Sequence, residues 1–156
     1  MSHERIELRE AVKRALESGV PGIDIVHVNR SRAMLPGDLP ALILRTPKER
    51  ARRFASAPRI LQRELTVEIE AVTSADDGID RCLDELAKAI ERRMAQDPCF
   101  GGLADDSVLA STEMEIDASG DTLVGAVKLI YKVTYQTDET VPGEAVAFGG
   151  INARIL

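Results

Sequence analysis

Histidine and cysteine are frequent in catalytic and metal sites, and this sequence has two of each. His3 and His27 are far apart, and neither accompanies a nucleophile in a recognisable catalytic spacing. Two thiols, Cys82 and Cys99, with two distant histidines make neither a zinc pattern nor a disulfide framework. We therefore expect no catalytic triad and no zinc site, with both thiols reduced and both histidines at surface or structural positions.

Acidic residues are the next candidates, because paired carboxylates can hold a metal or share acid and base roles. Asp76-Asp77 and Asp105-Asp106 are such pairs, but aspartate beside a helix start is what capping and the helix dipole favour. Glu68 and Glu70 are two residues apart on a predicted strand, where a solvated face explains them. Gly101-Gly102 lacks the Lys and Ser or Thr of a phosphate-binding loop. The sequence thus predicts no catalytic residue, no metal and no cofactor, and the protein is not expected to be an enzyme.

The remaining signal is a basic segment at residues 45–63. It holds seven Arg or Lys against one Glu, a charge of +6, so the rest of a chain with net charge −6 carries −12. Three interpretations stay open: a solvated loop without a binding role, a surface that neutralises nucleic-acid phosphates, or a contact with an acidic subunit. Two observations argue against nucleic-acid binding: the rest of the chain is strongly acidic, and Phe54 is the only aromatic residue in the segment that could stack on a base. The candidate partner-binding residues are Arg45, Lys48, Arg50, Arg52, Arg53 and Arg59.

Two segments have the three- and four-residue apolar spacing of amphipathic helices. The first covers residues 2–18, and Gly19 is expected to end it in a left-handed cap conformation. The second carries apolar residues from Ile79 to Met94 and ends before Pro98. Ser74 and Asp77 are the expected capping residues of this second helix.

Strands are predicted where apolar residues alternate with polar ones or form short buried runs. A short strand at residues 23–28 and an apolar run at 41–44 precede the basic segment, and we expect a mobile loop at about 46–60. A strand follows at 65–71. Residues 108–116 and 123–135 form a hairpin, with the even positions of 108–116 on one face and Gly125 marking a bulge.

These elements predict an α+β fold, with two helices packed on a mainly antiparallel sheet of about four to five strands. The 156 residues fit one domain at 1–137, followed by a flexible C-terminal tail at 138–156. Residues 1–10 are charged, unlike a secretory signal, and no apolar run reaches the ~20 residues of a membrane span. We expect a cytoplasmic protein with no membrane partner.

The sequences of several segments, and their order along the chain, resemble those of one known family. They are Leu39-Pro40-Ala41 opening a strand, RELTVEI at 63–69, a helix beginning near Asp76 with Leu83, Leu86 and Ile90, Leu103-Ala104-Asp105 with Val108-Leu109, and AVKLIYKVTY at 126–135. Together with the N-terminal helix, this pattern resembles the tail-terminator proteins of long-tailed phages, the minor tail protein U type, and related prophage proteins. It covers most of the chain except the tail.

The resemblance implies a structural role with no catalytic residues. Tail terminators have an α+β fold and assemble into a hexameric ring that caps the tail tube. The ring stops tube polymerisation and provides the surface for head attachment. The implied partners are further copies of the chain, the tail tube protein and a head-completion or neck protein, and DNA would be met only as it passes through the lumen. The implied location is the host cytoplasm and, after assembly, the virion tail. The loop around Arg50, Arg52 and Arg53 would face the tube end or the lumen.

Two other functions stay open at this point. One is a different head-tail connector or tail-completion protein. The other, with less support, is a small nucleic-acid-binding module. The segment after Thr137, which does not match the tail-terminator pattern, is open to three interpretations: an arm, a disordered end or a sign of a neighbouring neck-protein family. A closed ring would need a heterologous interface, and the basic segment and the acidic body offer two complementary patches for it. Such a contact is expected to weaken with salt.

Overall fold

The computed structural model describes residues 3–29, 38–118 and 120–139, which fold around one five-stranded sheet. The sheet order is β1-β2-β3-β5-β4; β1 is parallel to β2 and the other neighbours are antiparallel. In chain order the elements are α1 (Glu4–Gly19), β1 (Val26–Val28), β2 (Ala41–Ser56), β3 (Arg59–Ala75), α2 (Ile79–Gln96), β4 (Asp106–Asp117) and β5 (Leu123–Asp138). The predicted α+β fold, with two helices and a mainly antiparallel sheet, is confirmed.

Both helices pack on one face of the sheet, which we call the helix face. Alternation along the strands sends every second side chain of β3 and β5 into this core, while each helix contributes one apolar stripe. The buried residues include Leu8, Val12, Leu16, Leu65, Val67, Ile69, Leu83, Ile90, Val127, Leu129 and Val133. The opposite side, which we call the second face, carries the even-numbered residues of β3. Among the described residues, Ile43, Val72 and Ala126 form a small apolar cluster there, with Leu39 packed against it.

The two helices meet at Gly19, which is the last residue of α1 rather than a left-handed cap. A Cβ atom at Gly19 would lie 2.0 Å from the Cδ atom of Arg93 on α2, so a larger residue here would require the Arg93 side chain to move. The Arg93 Nε atom donates a hydrogen bond of 2.8 Å to the carbonyl of Ala15. The helix ends at Gly19 as predicted, but the capping residue is Val20 in an extended conformation, so the left-handed cap predicted for Gly19 was wrong.

The basic segment is a β-hairpin, so the predicted mobile loop at 46–60 was wrong. Strand β2 continues to Ser56, and β3 begins at Arg59, separated by the two-residue turn Ala57-Pro58. Pro47 lies at an irregularity between Arg45 and Lys48, where a proline without an N–H group is tolerated in an outer strand. Pro58 lies in the turn. Both prolines had indicated a loop, but one lies at an irregularity within a strand and the other in the turn between two strands.

The β4–β5 hairpin is confirmed, but its bulge lies in β4 and not at Gly125. The ladder skips Ala110, because Leu109 pairs with Tyr131 and Ser111 pairs with Ile130. This shift places Val108 on the second face, whereas Thr112, Met114 and Ile116 lie on the helix face. The expectation that all even positions from 108 to 116 share one face was wrong for this reason.

Gly125 is instead the point at which α2 crosses β5. A Cβ atom at Gly125 would lie 2.8 Å from the Cδ1 atom of Leu83 and 3.0 Å from the Cγ1 atom of Ile79. Helix α2 begins after Gly78, which has a left-handed conformation and makes no side-chain cap. Asp77 accepts only the Gly78 N–H group, at 2.9 Å, so the predicted cap by Ser74 and Asp77 was wrong. Of the flexible tail predicted at 138–156, Asp138 still belongs to β5, so the predicted boundary was too early, and residues 140–156 lie outside the described part of the chain.

Candidate partner-binding surface

Three of the six predicted basic residues form a row along β2 on the second face. Lys48 pairs with Thr66 across the ladder, Arg50 with Glu64 and Arg52 with Gln62. All three basic side chains belong to exposed residues. Because residues two apart on a strand point to the same side, the hairpin turns a charged sequence into one basic row, consisting of Lys48, Arg50 and Arg52.

The other three predicted residues separate from this row. Arg45 lies on the second face, where its Nη1 atom is 2.9 Å from the Oε1 atom of Glu70. The Glu70 side chain is only 5% exposed, so this ion pair serves the sheet itself. Arg53 pairs with Leu61, and Arg59 with Ser56, which places both on the side of the helix face.

The end of the hairpin is exposed and combines charge with an aromatic ring. Arg53 and Arg59 are exposed, and Phe54 between them in the hairpin has 56% of its surface accessible. We call Arg53, Phe54 and Arg59 the hairpin tip. Arginine and aromatic residues are enriched among the residues that dominate protein interfaces, so the tip has the composition of a docking element.

A buried acid at the base of the hairpin connects it to the rest of the molecule. Glu49 Oε2 accepts hydrogen bonds from Arg5 Nη1 at 2.7 Å and from Arg63 Nη1 at 2.8 Å. Its Oε1 atom accepts a hydrogen bond from the Tyr135 hydroxyl. The Arg63 Nε atom in turn donates to Thr137 Oγ1 at 2.7 Å. These residues form what we call the Glu49 cluster, which links α1, β2, β3 and β5.

The protonation states in this cluster follow from its geometry. Burial alone would raise the pKa of Glu49, but hydrogen bonds from Tyr135, Arg63 and Arg5 outweigh it and lower the pKa. Burial, and the hydrogen bond to Glu49, raise the pKa of the Tyr135 hydroxyl. At neutral pH the cluster therefore holds a carboxylate between two guanidinium groups and a protonated phenol. Such charge-assisted hydrogen bonds make the base of the hairpin a fixed support.

Charges on the second face form stripes of alternating sign, one per strand. The basic row on β2 is followed by Glu64, Glu68 and Glu70 on β3 and by Lys128 and Lys132 on β5. The outermost strand, β4, carries Glu113, Glu115 and Asp117 on the same face. Opposite charges on neighbouring strands favour the observed register within the chain. They also leave the two outer long strands with opposite charge.

The Glu49 cluster was missed from the sequence. Glu49 is the only acid among seven basic residues, which was a usable signal, because an isolated acid in a basic segment neutralises its neighbours when buried. Tyr135 was read only as a strand residue, since periodicity shows the face of a side chain but not its partner.

Within residues 3–29, 38–118 and 120–139, no group of three or more His, Cys, Asp and Glu side chains could hold a metal ion. No helix in the described part of the chain is long and apolar enough to cross a membrane. No protein-family model matches the sequence, and no curated protein is significantly similar to it.

Proposed function

We propose that this protein is a tail terminator, which caps the tail tube of a long-tailed phage or prophage as a ring of identical subunits. In this role it stops tube polymerisation and offers its far side to a head-completion or neck protein. The resemblance described above supports the proposal, and the α+β fold agrees with what that resemblance implies.

The observation that carries the proposal is the supported basic hairpin on an acidic molecule. Its base is held by the Glu49 cluster, while Arg53, Phe54 and Arg59 are exposed at its end. A capping subunit needs an element that reaches the tube end without losing affinity to the ordering of a loop. A hairpin with a fixed base supplies that element, because its conformational entropy is already reduced before binding. We assign the tube contact to the hairpin tip.

The test uses tail tubes polymerised from the tube protein of the same phage or prophage. Wild-type protein is mixed with these tubes, and binding is followed by co-sedimentation and by electron microscopy of the tube ends. Rings at the tube ends, and an arrest of further elongation, are the expected result. A protein that stays monomeric and leaves elongation unchanged would overturn the proposal.

A triple variant Arg53→Glu/Phe54→Ala/Arg59→Glu tests the assignment of the tip. It should weaken tube capping by roughly a hundredfold, since interface arginine and aromatic anchors often cost 2 kcal/mol or more when removed. Arg14→Glu/Arg81→Glu is the matched control, because both residues are exposed on helices and both undergo the same charge change. Equal capping by the two variants would refute the tip as the contact. Rings that bind a neck protein but not the tube would indicate a different connector.

A further inference from the structure

Among the described residues, β2 and β4 each leave part of their backbone without a strand partner. Strand β1 pairs with β2 only at Leu42–Leu44, and among the described residues no other strand covers the outer edge of β2 beyond that point. Strand β4 pairs only with β5, so its outer edge is also uncovered by any described strand. Unpaired edges of this kind are templates for pairing with another chain.

The two edges carry opposite charges on the same face. The basic row on β2 consists of Lys48, Arg50 and Arg52, and the corresponding acidic row on β4 consists of Glu113, Glu115 and Asp117. All these residues are exposed. A pairing of two β2 edges, or of two β4 edges, would bring like charges together, which destabilises a ladder. Only β4 against β2 joins unlike charges.

We infer that β4 of one copy pairs with β2 of the next, so that the sheet continues from subunit to subunit. This inference rests on the ring of the proposed function, and it names the surfaces that form the ring. Within one chain, β2 and β4 run in opposite directions, since each step from β2 through β3 and β5 to β4 is antiparallel. A next copy placed in the same orientation therefore forms an antiparallel ladder, with all helices on one side.

The charges select one register for this ladder. Opposing Arg50 to Glu115 also opposes Lys48 to Asp117 and Arg52 to Glu113, which gives three pairs of unlike charge. Both stretches, residues 48–53 and 112–117, are free of irregularities, so the pairs stay in step. A shift by two residues in either direction loses one pair, and a shift by one places the rows on opposite faces.

The same register brings apolar surface together on the helix face. Ala51 lies opposite Met114 of the next copy, and Met114 has 46% of its surface accessible in the isolated chain. The contact is heterologous, because two different edges meet. Heterologous contacts close into rings when the rotation between subunits permits it.

Charge reversal tests the pairing directly. Arg50→Glu/Arg52→Glu makes both edges acidic, and Glu113→Arg/Glu115→Arg makes both edges basic. Each variant alone should self-associate at least roughly tenfold more weakly than wild type, because like charges then face each other across the ladder. An equimolar mixture should recover assembly, since each acidic edge meets a basic edge of the other variant. Sedimentation velocity, with and without tail tubes, measures this.

A disulfide tests the register. In a Cys82→Ala/Cys99→Ser background, Ala51→Cys/Met114→Cys should form intermolecular cross-links under mild oxidation, because directly opposed residues approach within about 4.5–5.5 Å. Ala51→Cys/Thr112→Cys, shifted by two residues, is the matched control and should cross-link poorly. The inference would be overturned if the wild type forms rings but the mixture of the two charge-reversal variants does not assemble. It would also be overturned if both cysteine pairs cross-link equally. Either outcome would leave the proposed function in place. A wild type that forms no rings, even on tubes, would overturn both.

Discussion

At the scale of single residues, Glu49 decides how the basic segment is held. It lies among basic residues in the sequence, but its side chain is only 9% exposed and is shared between Arg5 and Arg63. Partial burial of an arginine is costly unless its charge is compensated, and Glu49 provides the nearer of two carboxylates for Arg63, at 2.8 Å against 3.8 Å for Glu139. The segment is therefore held by its ladder with β3 and by this charged contact, and not by an apolar face.

Replacing Glu49 by Gln should lower the free energy of unfolding by about 2 kcal/mol at neutral pH. The change keeps the size of the side chain but removes the charged acceptor that Arg5 and Arg63 share, so that Arg63 keeps only the more distant Glu139 carboxylate, at 3.8 Å. Hydrogen bonds to charged groups contribute ~1.5–3 kcal/mol. Urea unfolding followed by circular dichroism measures the loss. Glu85→Gln, at an exposed position on α2, is the control and should change stability by less than about 0.5 kcal/mol. Similar losses in both variants would contradict the role of Glu49.

The same carboxylate predicts a pH dependence with a definite sign. Folding lowers the pKa of Glu49 from its ordinary value of 4.5, so the folded chain releases the proton more readily than the unfolded chain. The stabilisation is therefore complete above about pH 4.5 and is lost as the pH falls through the lowered pKa. The stability gap between wild type and Glu49→Gln should narrow as the pH falls below 4.5. A constant gap down to pH 3 would show that the carboxylate charge is not its source.

At the scale of elements, the packing of α2 on β5 depends on the missing side chain at Gly125. Gly125→Ala should destabilise the protein by ~1–3 kcal/mol, because the added methyl group would overlap the buried Leu83 and Ile79 side chains. Thermal unfolding measures the effect. Gly120→Ala is the control, since the nearest atom to its Cβ position is the Thr122 carbonyl oxygen at an ordinary 3.8 Å. An unchanged melting temperature for Gly125→Ala would contradict the close approach.

The elements that could be predicted from the sequence are those with one apolar side. Helices α1 and α2, strand β3 and the β4–β5 hairpin all show this asymmetry, because each buries one face against the core. The outer half of β2 shows no such asymmetry. Lys48 and Arg50 on its second face are exposed, and Ala51 on its helix face is exposed as well. A strand that is exposed to solvent on both faces shows no alternation of apolar and polar residues. Its prolines then favour the prediction of a loop.

The candidate surface was predictable in residue type but not in geometry. The basic residues were found by counting charge, but their division into a row, a tip and the Arg45–Glu70 ion pair depends on ladder register. Register follows from contacts between distant strands, so one sequence window cannot supply it. The alternating charge of neighbouring strands likewise becomes visible only when β5 is placed between β3 and β4.

At the scale of the whole molecule, the charge asymmetry of the chain becomes a polarity of the sheet. On the second face, β2 carries the basic row and β4 carries the acidic row, while both helices lie on the helix face. In the proposed ring, an edge-to-edge contact between two copies joins unlike charges only when β4 of one meets β2 of the other. A β2–β2 or β4–β4 contact places like charges together, which disfavours symmetric pairs through these edges.

Salt should separate this association from the stability of the subunit. Raising the ionic strength from 0.1 M to 1 M shortens the screening length from about 10 Å to about 3 Å, so exposed charge pairs between subunits weaken strongly. We expect the self-association constant, measured by sedimentation velocity, to fall at least roughly tenfold over this range. The melting temperature should change less, because the charges of the Glu49 cluster are partly buried and are screened less than the exposed pairs. Arg50→Gln/Arg52→Gln should assemble weakly and with a smaller salt dependence. Association that strengthens with salt would instead show that the exposed apolar residues of β4, Met114 and Ile116, dominate the contact.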